Sequence, residues 1–250
     1  MLDKKMLENH KAFIYLGGKL KPVKKPSIVP IEDLVGIDRQ KELLLKNTRA
    51  FVEGKPVNDV LLWGKRGTGK SSLVRAMLGL FDNLRLLQID KDEVGFLFDF
   101  FDQAEEFPQY KFLVLIDDLT ITTEEGKVIR LLKTLLDGSV LERPQNVVIY
   151  TTSNRKNLAP DTYLERDYKF PKEEIEERFS LVDRFGLKIG FVDFSPADYL
   201  RAVEIYCQKF GLPFNENLKK EALKFAAEKE LSGRTALQFV KFALINMSNS

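Results

Sequence analysis

The feature that most constrains this chain is an eight-residue segment, GKRGTGKS at 64–71. It fits the pattern G-x-x-x-x-G-K-[ST] at every fixed position. Directly before it runs the apolar stretch VLLW (60–63), and directly after it begins the helical pattern SSLVRAML (71–78). The pattern therefore demands a buried strand, a tight loop and a helix in that order. Glycines in such a loop let backbone N–H groups turn toward an anion, and the helix N-terminus adds its positive end. Lys70 is spaced to reach the β- and γ-phosphates of a nucleotide, and the Ser71 hydroxyl to ligate Mg²⁺. Gly64, Gly67, Thr68, Gly69 and Ser72 complete the expected phosphate-binding set. An ordinary glycine-rich turn has no need for Lys-Ser after its last glycine.

A bound cation needs a second anchor. FLVLIDD at 112–118 is a buried-strand pattern ending in two carboxylates. Asp117 at the strand tip is expected to hold Mg²⁺ through water, and Asp118 to orient an attacking water as a base. Standing alone, the pair also reads as a polar strand terminus.

The rest of the chain supplies a matching frame. Short apolar runs at Val60–Trp63, Leu84–Ile89, Phe112–Ile116, Val147–Tyr150 and Leu187–Phe194 read as strands buried on both faces. Helical stretches at Ser71–Phe81, Lys127–Leu136 and Lys172–Phe179 alternate with them, which predicts a three-layer α/β sandwich. After Phe194 the texture changes. Ser195-Pro196 is a helix start, and three helical patterns follow at 196–210, 215–229 and 233–247. The expected organisation is a basic N-terminal lead-in (1–25), an α/β core (26–194) and a small all-α lid (195–250).

Composition excludes several classes. With 250 residues, 44% of them apolar and 19 of them Phe, the chain has matter for a real core, so wholesale disorder is ruled out. Lys plus Arg is 39 against 37 Asp plus Glu, which makes no global electrostatic case for nucleic acid. The lone Cys207 forms no internal disulfide, and with a single His10 a structural zinc site is not expected. No apolar run approaches the roughly 20 residues that span a bilayer, so no membrane association and a cytoplasmic location are expected. Lys19–Lys25 carries four lysines. It reads as a solvated lead-in, or as a phosphate- or partner-binding arm.

A phosphate loop, an apolar strand ending in Asp-Asp and a trailing helical domain together resemble an AAA+ P-loop ATPase. Further segments fit in order. PIEDLVGIDRQKELL (30–44) resembles the adenine-contacting segment ahead of the first core strand, with Val35-Gly36 at the base. TTSN (151–154) offers Asn154 as the sensor-1 polar residue. SLVDRFG (180–186) resembles the box that ends in an arginine finger and offers Arg184, with Arg178 as its rival. SGRTALQF (232–239) opens the last helix with Arg234, in the manner of sensor 2. The resemblance covers residues 26–248. In wording such as GTGKSSLV, TSNR and SLVDRFGL it is similar to a functionally uncharacterised bacterial AAA+ group, near helicase-loader and initiator cores.

The resemblance implies a parallel sheet of order 5-1-4-3-2, with ATP and Mg²⁺ held between core and lid. It implies that Asp118, Asn154, Arg184 and Arg234 serve catalysis. Arg234 would touch the γ-phosphate in cis. Arg184 would reach a neighbour's nucleotide, which calls for a homo-oligomer, a ring or helical stack. Within its own chain, Arg184 has the alternative of an ion pair with Asp183 or the acidic run Glu173–Glu177. Arg234 has the alternative of an ordinary surface position at a helix start.

One departure stands out. The family usually ends its second motif in Asp-Glu, where this chain has Asp117-Asp118. The shorter carboxylate falls back roughly 1.5 Å unless the backbone shifts or a water bridges, and such misplacement costs about 10²-fold in rate. Slow turnover is expected, with Glu124 or Glu125 as a substitute base. The aromatic run Phe96, Phe98, Phe100, Phe101, Phe107 and Tyr110 reads first as helix and core packing. It reads second as a partner-docking surface and last as a pore loop, since Gly95 precedes the aromatic. The residues 161–177 are charge-rich and read as a solvated insertion. Three functions follow: an oligomeric ATPase that remodels or loads a macromolecular client, a DNA-associated helicase loader or initiator, and a nucleotide-gated binding module with incidental hydrolysis.

Overall fold

The computed structural model describes residues 2–120, 126–137, 142–155, 158 and 172–247, without the side chains of 172–175, 178 and 247. Glu124, Glu125, the 161–171 stretch and the Arg178 side chain lie outside the described residues.

The chain opens with α1 (Lys4–Asn9) and a hairpin of β1 (Ala12–Leu16) and β2 (Lys19–Pro22). It continues through α2 (Asp38–Val52), β3 (Val60–Gly64), α3 (Lys70–Ala76), β4 (Leu84–Ile89), α4 (Leu97–Glu105) and β5 (Lys111–Ile116). Then come α5 (Gly126–Asp137), β6 (Val147–Ser153), α6 (Lys172–Asp183) and β7 (Leu187–Phe191). Three helices close the chain: α7 (Pro196–Phe210), α8 (Glu216–Ala227) and α9 (Gly233–Met247).

Among the described residues the sheet has seven strands in the order β2-β1-β4-β5-β6-β3-β7. The core strands β7-β3-β6-β5-β4 reproduce the expected 5-1-4-3-2 run, all parallel. The N-terminal segment corrects the expectation of a simple lead-in. Strand β1 adds in parallel to β4, and β2 folds back antiparallel on β1. Gly17 and Gly18 carry φ of 59° and 72° between Leu16 and Lys19, the two-residue turn whose twist matches a hairpin. Phe13 is buried, and the Tyr15 ring stacks on Phe96 with centroids 3.7 Å apart. The aromatic run thus packs the core, as its first reading expects: Phe100 and Phe101 are buried, and Phe100 meets Phe112 edge-on.

Alternation along the strands sorts side chains to two faces. Leu61, Val114, Ile116 and Ile149 pack with α4, α5 and α6 residues such as Leu97, Leu132 and Leu181. Val60, Leu62, Leu113, Leu115 and Val148 pack on the other face with Leu44 and Phe51 of α2 and Leu73 and Val74 of α3. A strand covered on both faces has no polar side to present, which is why these segments read as continuous apolar runs. Strand β7 stops at Phe191 rather than at Phe194, because its neighbour β3 ends opposite it at Gly64. Val192 is then exposed, and Asp193 pairs instead with Lys65, 2.6 Å away.

Helices α7, α8 and α9 build a separate core around Tyr199, Val203, Ala222, Phe239 and Val240. Helix α7 starts with the Ser195–Asp198 capping box and ends at Gly211 with φ of 69°. Val35 packs into this cluster from the segment ahead of α2. Among the described residues, no helix is long and apolar enough to cross a membrane.

Candidate phosphate-binding site

The loop between β3 and α3 is held in shape by its glycines and by Lys70. Gly67 and Gly69 have φ of 78° and 99°, open to glycine at little cost. At Gly64 a Cβ would fall 2.5 Å from the Phe191 carbonyl oxygen, so only glycine lets β3 and β7 close above the loop. The Lys70 ammonium donates to the carbonyls of Gly64 at 2.6 Å and Lys65 at 2.7 Å, and reaches Asn154 Oδ1 at 3.3 Å. Lys70 is 6% exposed. Burial pulls its pKa down to about 8, against the opposing pull of Asp118 and Asp117.

The acidic strand end lies directly across. Ser71 Oγ donates to Asp117 Oδ1 at 2.5 Å, and Thr152 Oγ1 donates to the same oxygen at 2.6 Å. Thr152 Oγ1 in turn accepts from the Asp118 backbone N–H at 2.9 Å. Asp118 has φ of 56°, a left-handed conformation that aspartate tolerates better than most residues. Its side chain lines the cleft. There Oδ1 accepts from Asn154 Nδ2, and Oδ2 lies 3.4 Å from the Arg66 guanidinium. Ser71 and Asp117 are an all-oxygen donor pair within contact of each other, a set that suits Mg²⁺.

These groups line one cleft of about 660 Å³ between sheet and lid. Its floor is Gly67, Thr68, Gly69, Lys70, Ser71 and Ser72, facing Asp117, Asp118, Thr152 and Asn154. Val35, Leu34 and Ile37 wall one end. The lid contributes Ala202, Tyr206, Gly233, Arg234 and Leu237. The lid also touches the loop itself: the Gly233 N–H donates to the Gly67 carbonyl at 3.2 Å, and a Cβ on Gly67 would meet Ser232 at 2.8 Å.

Thus Val35, Gly67, Thr68, Gly69, Lys70, Ser71, Ser72, Asp117, Asp118, Asn154 and Arg234 converge on the cleft. Gly64 lies beneath it and acts through its carbonyl. Gly36 is not on its wall. With φ of 73°, Gly36 lets the chain pass Asp198 of α7, where a Cβ would sit 2.9 Å from the carboxylate carbon. Arg184 also stands outside the cleft. Its Nε donates to Asp137 Oδ2 of α5 at 2.5 Å, and its guanidinium holds Ser180. Asp183, one of its expected partners, pairs with Lys188 instead.

Cleft residues that the sequence reading did not single out include Thr152, Arg66, Arg75 and Tyr206. Two had a signal in spacing. Thr152 shares a strand face with Asn154, two residues on, and Arg75 shares a helix face with Ser71 and Ser72.

Solved structures with a similar fold include two mutant forms of RuvB from Thermotoga maritima. One is 15% identical with a TM-score of 0.58, over 83% of this chain and 62% of that one. The other is 17% identical with a TM-score of 0.56, over 85% of this chain and 64% of that one. This chain spans less than two thirds of the length of either. The likeness shows that this chain shares their fold. No curated protein matches the chain. The family model described as "Protein of unknown function (DUF815)" matches residues 8–246, and the chain belongs to that family.

Proposed function

We propose that this protein is a Mg²⁺-dependent ATPase whose turnover is slow and coupled to a macromolecular client through self-assembly. The observation that carries the reading is the convergence of Lys70, Ser71, Asp117, Asp118 and Asn154 on one cleft roofed by Arg234. In this reading the cleft divides into a phosphate end and a nucleoside end. The loop amides and the Lys70 ammonium bind the β- and γ-phosphates. Ser71 and Asp117 would hold Mg²⁺, which neutralises phosphate charge when bound. Asp118, oriented by Asn154, accepts a proton from the attacking water. Adenine occupies the apolar end at Val35, and Arg234 ties the lid angle to the nucleotide. Arg184, being absent from its own cleft, serves a neighbour's site in a ring or helical stack.

Two features support slow turnover. The Lys70 and Asp118 side chains are each engaged by protein partners that a nucleotide must displace. The base is also an aspartate rather than the longer glutamate.

A second reading, a DNA-associated loader, has one observation in its favour. Lys19, Lys21, Lys24 and Lys25 are all exposed along and just after the edge strand β2. DNA binding that falls steeply with rising salt would support it.

The test is ATP binding and hydrolysis by the wild type and Lys70→Ala across a range of protein concentrations. Binding lost in the variant and specific activity rising with concentration are expected. Unaltered affinity in the variant refutes the assignment, and equal specific activity at all dilutions refutes the shared site.

A further inference from the structure

The cleft contains a cation that the proposed function does not use. Arg75 lies on α3, four residues beyond Ser71, and lines the cleft with Ser72. Its one hydrogen bond, from Nη2 to Ser72 Oγ, is long at 3.4 Å. Its Nε is shielded from solvent and has no partner among the described residues. Leaving a buried N–H unpaired is costly, and a guanidinium without a counter-ion more so.

Among the described residues, no carboxylate of the cleft is left to pair with it. Asp33 is taken by Lys209 of α7, Asp117 by Ser71 and Thr152, and Asp118 by Asn154 and Arg66. Arg75 also forms no ion pair with any other described residue. The group is therefore positioned for an anion that comes from outside the chain.

Its place along the cleft says which anion. At about 1.5 Å per residue, Arg75 is roughly 6 Å further along α3 than Ser71, away from the loop. Ile28 packs against Gly79, one turn further on, so the 27–29 segment borders this stretch of helix. Ser27 and Val29 line the same cleft. Arg75 thus stands one turn beyond the phosphate loop, on the stretch of helix that the 27–29 segment borders.

We propose that Arg75 is a nucleotide-binding residue that pairs with the α-phosphate. This rests on the nucleotide reading of the cleft and extends it to a position the loop motif does not include. The guanidinium supplies a planar set of donors to a phosphate that the Lys70 ammonium does not reach. ATP and ADP share that phosphate, so both gain from it. Inorganic pyrophosphate, gripped at the loop, does not.

Calorimetric titration of wild type, Arg75→Ala and Arg75→Gln with ATP, ADP and pyrophosphate, each with Mg²⁺, tests the assignment. Arg75→Gln keeps a polar stem in the cleft and guards against misfolding. Affinity for ATP and ADP is expected to fall about tenfold in both variants, with pyrophosphate within twofold of wild type. Unchanged ATP affinity refutes the assignment, and so does an equal fall for pyrophosphate, which would mark a general loss of the site. Wild-type protein that binds none of the three refutes the nucleotide reading as well.

Discussion

On the proposed nucleotide reading, Lys70 should make the affinity for ATP sensitive to pH in a range where an ordinary lysine does nothing. The perturbation is a rise from about pH 7.5 to 9, above the range in which terminal phosphates ionise. In the free protein the buried ammonium has its pKa pulled down to about 8. Its partners there are neutral carbonyls at 2.6 and 2.7 Å, which satisfy its N–H groups without a full counter-charge. A bound triphosphate brings that charge and raises the pKa. Between the two values, binding takes up a proton, so affinity falls as pH rises. The protonated fraction of the free protein drops about eightfold over this range, and the dissociation constant rises by about the same factor. A lysine at its usual pKa would change that fraction by only about 3% over the same span. Calorimetry in two buffers of different ionisation heat reads both the affinity and the proton taken up. A dissociation constant flat across the range, with no buffer-dependent heat, would refute the reasoning.

Three further outcomes are expected. Asp118→Asn should lower turnover by about 10²-fold or more while ATP still binds, read by phosphate release beside equilibrium titration; normal turnover would move the base elsewhere. Arg184→Ala should leave ATP affinity within a few-fold and reduce turnover by about 10³-fold, with the rate losing its dependence on protein concentration. A monomer that hydrolyses as fast as concentrated protein would contradict this. Gly67→Ala puts a Cβ 2.8 Å from Ser232 at a φ of 78°, so thermal unfolding should show a loss of about 1–3 kcal/mol together with weaker nucleotide binding.

The parts of the site that were legible in the sequence are those fixed by local geometry. GKRGTGKS between an apolar run and a helical pattern predicts a strand, a loop and a helix, and β3, the loop and α3 follow in that order. Strands buried on both faces announce themselves as apolar runs, and Ser195-Pro196 announces α7. Contacts between distant segments were not legible. The β1–β2 hairpin is short and has one exposed face, and it is fixed by Tyr15 meeting Phe96, eighty-one residues away. Arg184 pairs with Asp137 on another helix, while Asp183 beside it in sequence pairs with Lys188. The close approach of Gly36 to Asp198 of α7 has no signal in the residues around Gly36.

The most direct measurement is a titration of the wild-type protein with ATP and Mg²⁺, followed by heat at neutral pH. One saturable site per chain, abolished by Lys70→Ala, is the expected result. A folded wild-type protein that gives no binding heat at any temperature tried, with adenine or guanine triphosphates, would contradict the account at its root.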